Sequence, residues 1–312
     1  MRIAFMGTPE FAVPSLRALV EEGYEVVAVC TQPDRKAGRG QRLVSSPVKQ
    51  AALSLGLQVI QPESLRDPVE IQRLRDIGPE MVVVAAYGKL LPPEVLAIPR
   101  FGCLNVHPSL LPRHRGPSPV AAAILSGDAV TGVTIMLLDE GVDSGPILNQ
   151  REVPILEDDT TGSLISRLAN IGAQLLIETV PLWVEGKIAA KAQDESQATY
   201  SRAIDKDDGR INWQLSATEL WRRVRAFEPW PGSYTWWGGK RLKVCKVVPL
   251  DVELHVEPGE VVALPAGLPV KVGVGTGKGV LGLVTVQLEG KRQMSADEFI
   301  HGHRTFIGSK LL

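Results

Sequence analysis

Asn105 and His107 stand two positions apart at the end of an apolar run, FGCLNV. In an extended strand end that spacing sends both side chains from the same face. A carboxamide that donates and an imidazole that titrates can together hold a developing anion and pass a proton. A polar pair capping a strand would have the same spacing. Pro108 and Pro112 stiffen the segment that follows, which runs on through Ser109, Leu110, Leu111, Arg113, His114 and Arg115 to Gly116. A second segment, Asp139-Glu140-Gly141-Val142-Asp143-Ser144-Gly145, comes soon after another apolar run, GVTIML. An acid beside the imidazole would fix its tautomer and raise its pKa. Spacing does not choose among Asp139, Glu140 and Asp143, and a solvated turn is the alternative reading.

These segments need elements to carry them. Short β-branched or apolar runs at 2–6, 24–31, 58–60, 81–86, 101–106 and 132–137 read as strands. Helical spacing is found over 11–22, 47–55, 70–76 and 160–185. The β-α-β-α order predicts an α/β fold, a Rossmann-like, doubly wound and mostly parallel sheet. In such open sheets ligands bind beyond the carboxyl ends of the strands, where the Asn105/His107 segment falls. Past Gly186 the texture changes. Residues 191–209 are polar and read as a linker, 216–225 as a helix with arginines 222, 223 and 225 on one face. The runs SYTWW, RLKVCKVV, GEVVAL, VKVGV and LGLVTVQL then predict a small OB-like β-barrel. The expected division is a catalytic domain over 1–190, a linker over 191–209 and a barrel over 210–312.

Composition sets the outer bounds. The chain has 312 residues, 44% hydrophobic and 22% charged, which excludes a disordered tail, a collagen-like repeat and a disulfide scaffold. The three cysteines, Cys30, Cys103 and Cys245, are far apart, and the first two sit in strand-like runs as buried thiols would. No metal spacing appears, and the turn after the first strand, Gly7-Thr8-Pro9-Glu10, lacks the glycines a dinucleotide needs. Gly275-Thr276-Gly277-Lys278-Gly279 lacks the leading Gly and the final Ser or Thr of a phosphate loop, and reads as a turn. No metal and no nucleotide cofactor are expected. There is no signal-like h-region and no 18-residue apolar stretch, so the expectation is a cytoplasmic protein without a membrane partner. The net charge is −1, yet residues 205–312 carry 15 Lys and Arg against 12 Asp and Glu. Residues 35–62 hold Arg35, Lys36, Arg39, Arg42 and Lys49 and no acid, as a loop that meets nucleic acid would.

At this point the chain resembles the methionyl-tRNA formyltransferase family, among the folate-dependent formyltransferases. The matching segments include FMGTPEFAVPSL, TQPDRKAGRGQRL, AAYGKLLP, GCLNVHPSLLPRHRG, TGVTIMLLDEGVDSGPIL, TYSRAIDKDDGRINW and VRAFEPWPGSY. The resemblance implies formyl transfer from 10-formyltetrahydrofolate to the α-amine of initiator methionyl-tRNA, with folate and tRNA as partners. It puts the catalytic trio on Asn105, His107 and Asp143, and the folate-contacting tract on Ser109, Leu110, Leu111 and Pro112. It also puts a pterin pocket along AAYGKLLP, with Ala86, Tyr87, Gly88 and Leu90. Arg39 matches the family's key arginine in the basic loop, beside Arg42, and Lys206 a lysine close to the nucleic acid. His114 departs from the family's usual aromatic ring, and Gly116-Pro117-Ser118-Pro119 from its more usual GAAP. On this reading a protonated His107 and Asn105 hold the oxyanion while Asp143 keeps the ring charged. Lys240, Arg241, Lys243 and Lys246 would follow phosphates, while Trp230, Tyr234, Trp236 and Trp237 are expected in the barrel core and domain interface. Competing readings are a small-amine acceptor, hydrolysis of the formyl donor, and a non-catalytic RNA binder. A monomer is expected.

Overall fold

The computed structural model describes residues 1–37, 42–252 and 254–312, the side chains of 36, 37 and 42 excepted. The chain divides into two compact units. One comprises Met1–Pro119, Val130–Pro154 and Ile165–Ser201, the other Val120–Ala129, Ile155–Leu164 and Arg202–Leu312.

In chain order the elements begin with β1 (Arg2–Gly7), α1 (Val13–Glu21), β2 (Glu25–Cys30) and a hairpin, β3 (Arg35–Ala37) with β4 (Arg42–Val44). Then come α2 (Pro47–Ser54), β5 (Val59–Ile60), α3 (Pro68–Ile77), β6 (Met81–Ala85), α4 (Pro93–Leu96) and β7 (Cys103–His107). After α5 (Pro119–Ser126) follow β8 (Val130–Leu137), β9 (Ile147–Pro154) and α6 (Thr161–Val184). The main sheet has the order β5-β2-β1-β6-β7-β8-β9. Its first five strands run parallel, while β8 and β9 turn antiparallel at one edge. β6 and β7 are buried at every residue, which is why they read as unbroken apolar runs. Alternate residues feed a core under one face: Ala4 and Met6 of β1, Val82 and Val84 of β6, and Cys103 of β7, with Ile71 and Leu74 of α3. Burial pushes the Cys30 and Cys103 thiols up to about 12, so both are inert core residues.

The parallel register places the carboxyl ends of three strands side by side. Gly7 pairs with Ala85, and Val84 with Asn105, so the loops leaving β1, β6 and β7 emerge along one edge. Behind β7, α6 comes close because residue 172 is glycine: a Cβ there would stand 2.8 Å from Val106 Cγ1. Val106 lies between Asn105 and His107, and its packing fixes the strand end that carries them.

The second unit holds α7 (Ala217–Ala226), β10 (Ser233–Trp237), β11 (Lys240–Leu250), β12 (Val261–Ala263), β13 (Val272–Gly275), β14 (Val280–Leu288), β15 (Met294–Ser295) and α8 (Ala296–Gly302). The antiparallel order is β10-β11-β14-β13-β12, with β15 also on β14. Register shifts around Lys246 in the β11–β14 ladder are the kind of irregularity that curls a sheet. The OB-like domain expected from the sequence is thus a curled antiparallel sheet. Leu242, Val244, Leu281, Leu283 and Val286 form its core with Leu220 and Val224 of α7 and Phe299 of α8. Among the described residues no helix is long and apolar enough to cross a membrane.

Candidate active site

β7 ends in Asn105-Val106-His107, and the alternation places Asn105 and His107 on one face, as their spacing requires. Both are nearly buried, at 8% and 4% exposure. The third group arrives from the loop between β8 and β9. There Asp143 takes a left-handed backbone, φ 52°, rare for a residue with a Cβ. That turn brings its carboxylate to both partners. Oδ1 lies 3.5 Å from Asn105 Nδ2 and 3.6 Å from His107 Nδ1, while Oδ2 accepts from Gly116 N–H at 2.8 Å. Of the three acids in the loop, Asp139 instead accepts from Ser144 Oγ and Gly141 N–H in its own turn. Glu140 is exposed.

His107 is poised between two oxygens, since its Nε2 faces the His114 carbonyl at 3.3 Å. Only the imidazolium has an N–H for each. Burial works against that charge. It holds the His107 pKa below the usual imidazole range, against the pull of the Asp143 carboxylate and of the His114 carbonyl. Burial thus disfavours the imidazolium that the resemblance implies, while the two facing oxygens offer an acceptor to each N–H of a charged ring.

The SLLP tract is anchored from below by Thr134 of β8. Thr134 Oγ1 donates to the Ser109 carbonyl at 2.6 Å and accepts from Leu111 N–H at 3.2 Å. Gln150 Nε2 donates to the Leu111 carbonyl at 2.8 Å and to Thr134 Oγ1 at 2.9 Å. Ser109 is fully buried and its hydroxyl donates to the Arg113 carbonyl, so it is no nucleophile. Leu111 is buried, while Leu110 and Pro112 are half-buried.

The other tract, residues 85–92, leaves the end of β6 with Ala86 at φ 46° and exposed. Tyr87 turns its ring into the core, 1% exposed, and only its carbonyl faces the loops, accepting from Thr8 Oγ1 and from Gln32 Nε2 at 3.0 Å each. Gly88, at φ 81°, lies so close to Gln32 that a Cβ would stand 2.5 Å from its amide nitrogen. Leu90 is 68% exposed, an apolar side chain in the open.

Of the residues expected at nucleic acid, Arg39 lies outside the described residues, as does the Arg42 side chain; the Arg42 backbone opens β4. Two other cations of the stretch are engaged: Lys49 with Asp34 at 2.7 Å and Arg35 with Gln32 Oε1 at 2.6 Å. In the second unit Lys206 is exposed, as are Lys240, Lys243 and Lys246, while Arg241 stacks on the Tyr234 ring at 3.6 Å. Arg223 and Arg225 are not free: they donate to the carbonyls of Asp208 and of Asp159 and Leu156. Trp237 packs on Phe299 and Phe306 and Tyr234 is buried, but Trp230 and Trp236 are 58% and 37% exposed.

Sequence reasoning passes over residues 191–201 as part of a linker. They belong to the first unit. Lys191 exchanges two backbone hydrogen bonds with Ile147, and Thr199 and Ser201 do the same for the loop after β7. Arg115 N–H donates to the Thr199 carbonyl at 2.9 Å, and Ser201 N–H to the Arg115 carbonyl at 2.7 Å. The available sequence signal is Gln193, Glu195 and Tyr200, polar residues that match an equally unexplained Arg115.

The Formyl transferase family matches residues 1–180, and its C-terminal domain residues 203–304. The chain belongs to the formyl transferase family. Relatives 46–49% identical along nearly its whole length bear the name methionyl-tRNA formyltransferase. The one from Methylococcus capsulatus is 49% identical over 97% of this chain and 97% of its own. Among solved structures, HypX from Aquifex aeolicus in complex with tetrahydrofolic acid is similar with a TM-score of 0.64 at 19% identity. The match covers 98% of this chain and 48% of that one, so this chain spans about half its length. An N-formyltransferase from Helicobacter canadensis, in complex with folinic acid and dTDP-3-aminofucose, is similar with a TM-score of 0.65 at 17% identity, over 90% of this chain and 98% of its own. At these identities the likeness to both structures is one of fold.

Proposed function

We propose that this chain transfers the formyl group of 10-formyltetrahydrofolate to the α-amine of methionine carried by initiator tRNA, giving N-formylmethionyl-tRNA. The observation that carries it is the Asp143 carboxylate within 3.6 Å of both the Asn105 amide and the His107 ring, in a chain so similar to methionyl-tRNA formyltransferases.

The donor set suits a formamide carbon attacked by an amine. At 3.5 Å the Asn105 N–H is loosely held by Asp143, which leaves it free to donate to the oxygen that gains negative charge. His107 rests neutral and takes the proton the amine sheds on attack. The charged ring then has an acceptor at each nitrogen, and hands that proton to folate N10 as the carbon–N10 bond breaks. One carbon–nitrogen bond forms and one breaks, one proton moves, and nothing is oxidised. The nearby hydroxyl of Ser109 is committed and the core thiols do not ionise near neutrality, which favours direct transfer over an acyl-enzyme. Ser109–Pro112 and the tract around Ala86, Tyr87, Gly88 and Leu90 would hold the folate, the Tyr87 share falling to its backbone.

Arg39, Arg42 and Lys206 would meet the tRNA, with the lysines of the C-terminal sheet on phosphates. The catalytic domain expected over 1–190 is read as reaching Ser201, which shortens the linker to 202–209 and leaves 210–312 as the tRNA-binding domain, working as a monomer in the cytoplasm, where charged initiator tRNA is used. The test is formyl transfer by the purified chain to charged initiator tRNA, to an amino-sugar nucleotide and to water. Transfer confined to the charged tRNA is expected. Equal formylation of the amino sugar, or formate release without an acceptor, would overturn the assignment.

A further inference from the structure

We propose that Gln193 is a positioning residue that, with Arg115, holds Asp143 in its left-handed turn against His107. This rests on reading Asp143 as part of the proton-handling site.

Gln193 is 9% exposed and both ends of its amide are fully used. Nε2 donates to the Asp143 carbonyl at 2.8 Å and to the Gly145 carbonyl at 2.7 Å. Oε1 accepts from Arg115 Nε at 3.0 Å and Nη2 at 2.9 Å. Arg115, 1% exposed, is among the largest fully buried side chains of the chain. Its charge is met by Glu195, whose carboxylate accepts at 2.7 and 2.9 Å, and by the Tyr200 hydroxyl at 3.1 Å. The residue after Arg115 closes the circuit, because Gly116 N–H donates to Asp143 Oδ2 at 2.8 Å. Four groups therefore form a ring: Asp143 carbonyl, Gln193 amide, Arg115 and Gly116, returning to the Asp143 carboxylate. Aspartate tolerates φ 52° better than most residues with a Cβ, and this ring holds it there from both its main chain and its side chain. A carboxamide is the side chain with two donors at one end and an acceptor at the other. Glutamate would keep the Arg115 hydrogen bonds and give up both donations, and methionine would keep the shape and give up all four.

The test is a cycle of Gln193→Met and Gln193→Glu, each alone and with Asp143→Asn, assayed with charged initiator tRNA and 10-formyltetrahydrofolate. A small misplacement of a reacting group costs up to ~10²-fold. Each Gln193 variant alone is expected to lose ~10- to 100-fold in kcat, on that scale, with the folate KM little changed. In the Asp143→Asn background neither should lose more, since Gln193 acts through Asp143. The His107 ring, followed by proton NMR, should titrate at lower pH in the Gln193 variants, as the carboxylate that raises its pKa moves off. If Gln193→Met does not fold, Gln193→Glu, which keeps the Arg115 hydrogen bonds, decides the matter alone. Equal losses with and without Asp143 would make Gln193 merely structural and overturn the proposal, as would full activity of Gln193→Glu while Asp143→Asn is slow. Near-normal turnover of Asp143→Asn itself would instead remove Asp143 from the proton-handling site, a separate failure.

Discussion

Burial and a carboxylate pull the His107 proton in opposite directions, and burial prevails. Its folded pKa is therefore below the unfolded value of roughly 6.5. As pH falls through that window the unfolded chain takes up a proton that the folded chain resists, so stability falls on acidification and is complete above the unfolded pKa. The measurement is an NMR titration of the ring beside urea melts at a series of pH values; a ring titrating above free histidine would contradict it. Asp143→Asn should lower the pKa further and cost ~10²-fold or more in kcat, the scale of one lost oxyanion-site group. Asn105 and His107 can be singled out from the sequence because strand alternation is local. Asp143 cannot be, since what separates it from Asp139 is a backbone turn and a hydrogen bond from Gly116, neither of which leaves a trace in spacing. The family resemblance makes that choice. Nor does residue type reveal that burial lowers the imidazole pKa, because its desolvation depends on tertiary packing.

Elements that bury both faces are the legible ones. β1, β2, β6 and β7 stand within a residue or two of their apolar runs, and α6 within one residue of its expected ends. β9 escapes notice because it is an edge strand, paired along its length with β8 and bridged at Ile147 to Lys191, its residues alternately half-exposed and exposed over much of its length, and its sequence ILNQREVP shows little apolar pattern. β3 and β4 sit in the Gly- and Arg-rich stretch that reads as open loop, since a hairpin without a core leaves no hydrophobic period. β8 has a function that its apolar pattern hides: Thr134 supports the SLLP tract through one hydroxyl. Thr134→Val keeps the shape and leaves the buried Leu111 N–H without that acceptor, so a loss of about 1–3 kcal/mol is expected in urea unfolding. A change within a few tenths would show that the hydroxyl carries no weight. Gly116 makes a second demand on the same loop, because at φ 103° an added Cβ would stand 2.6 Å from the Ser201 carbonyl oxygen.

For the whole molecule, charge is where sequence and structure diverge most. The arginines of α7 suggest a cationic face, yet Arg223 and Arg225 are spent on carbonyls inside their own unit. The exposed lysines 240, 243 and 246 remain, together with Lys206. If three or more of these meet phosphates, the KM for charged tRNA should rise by roughly 10-fold or more between about 50 and about 200 mM salt. The folate KM should change far less. A salt-independent KM for tRNA would count against a phosphate-tracking surface. Hydropathy also treats the polar run 191–209 as one piece. Its first half is bonded by backbone and buried polar groups, interactions to which hydropathy is blind.

That first half also decides where the chain can be taken apart. Hydropathy alone suggests severing it near residue 190, but the β-bridge from Ile147 to Lys191, and the pairing of Arg115 with Thr199 and Ser201, lie beyond that point. A fragment ending at 190 would lack Gln193, Glu195 and Tyr200 and leave Arg115 without its counter-charge. One ending at 201 would keep them. Chimaeras that swap C-terminal segments between formyltransferases should therefore be spliced after Ser201, so that each Arg115 travels with its own fastening.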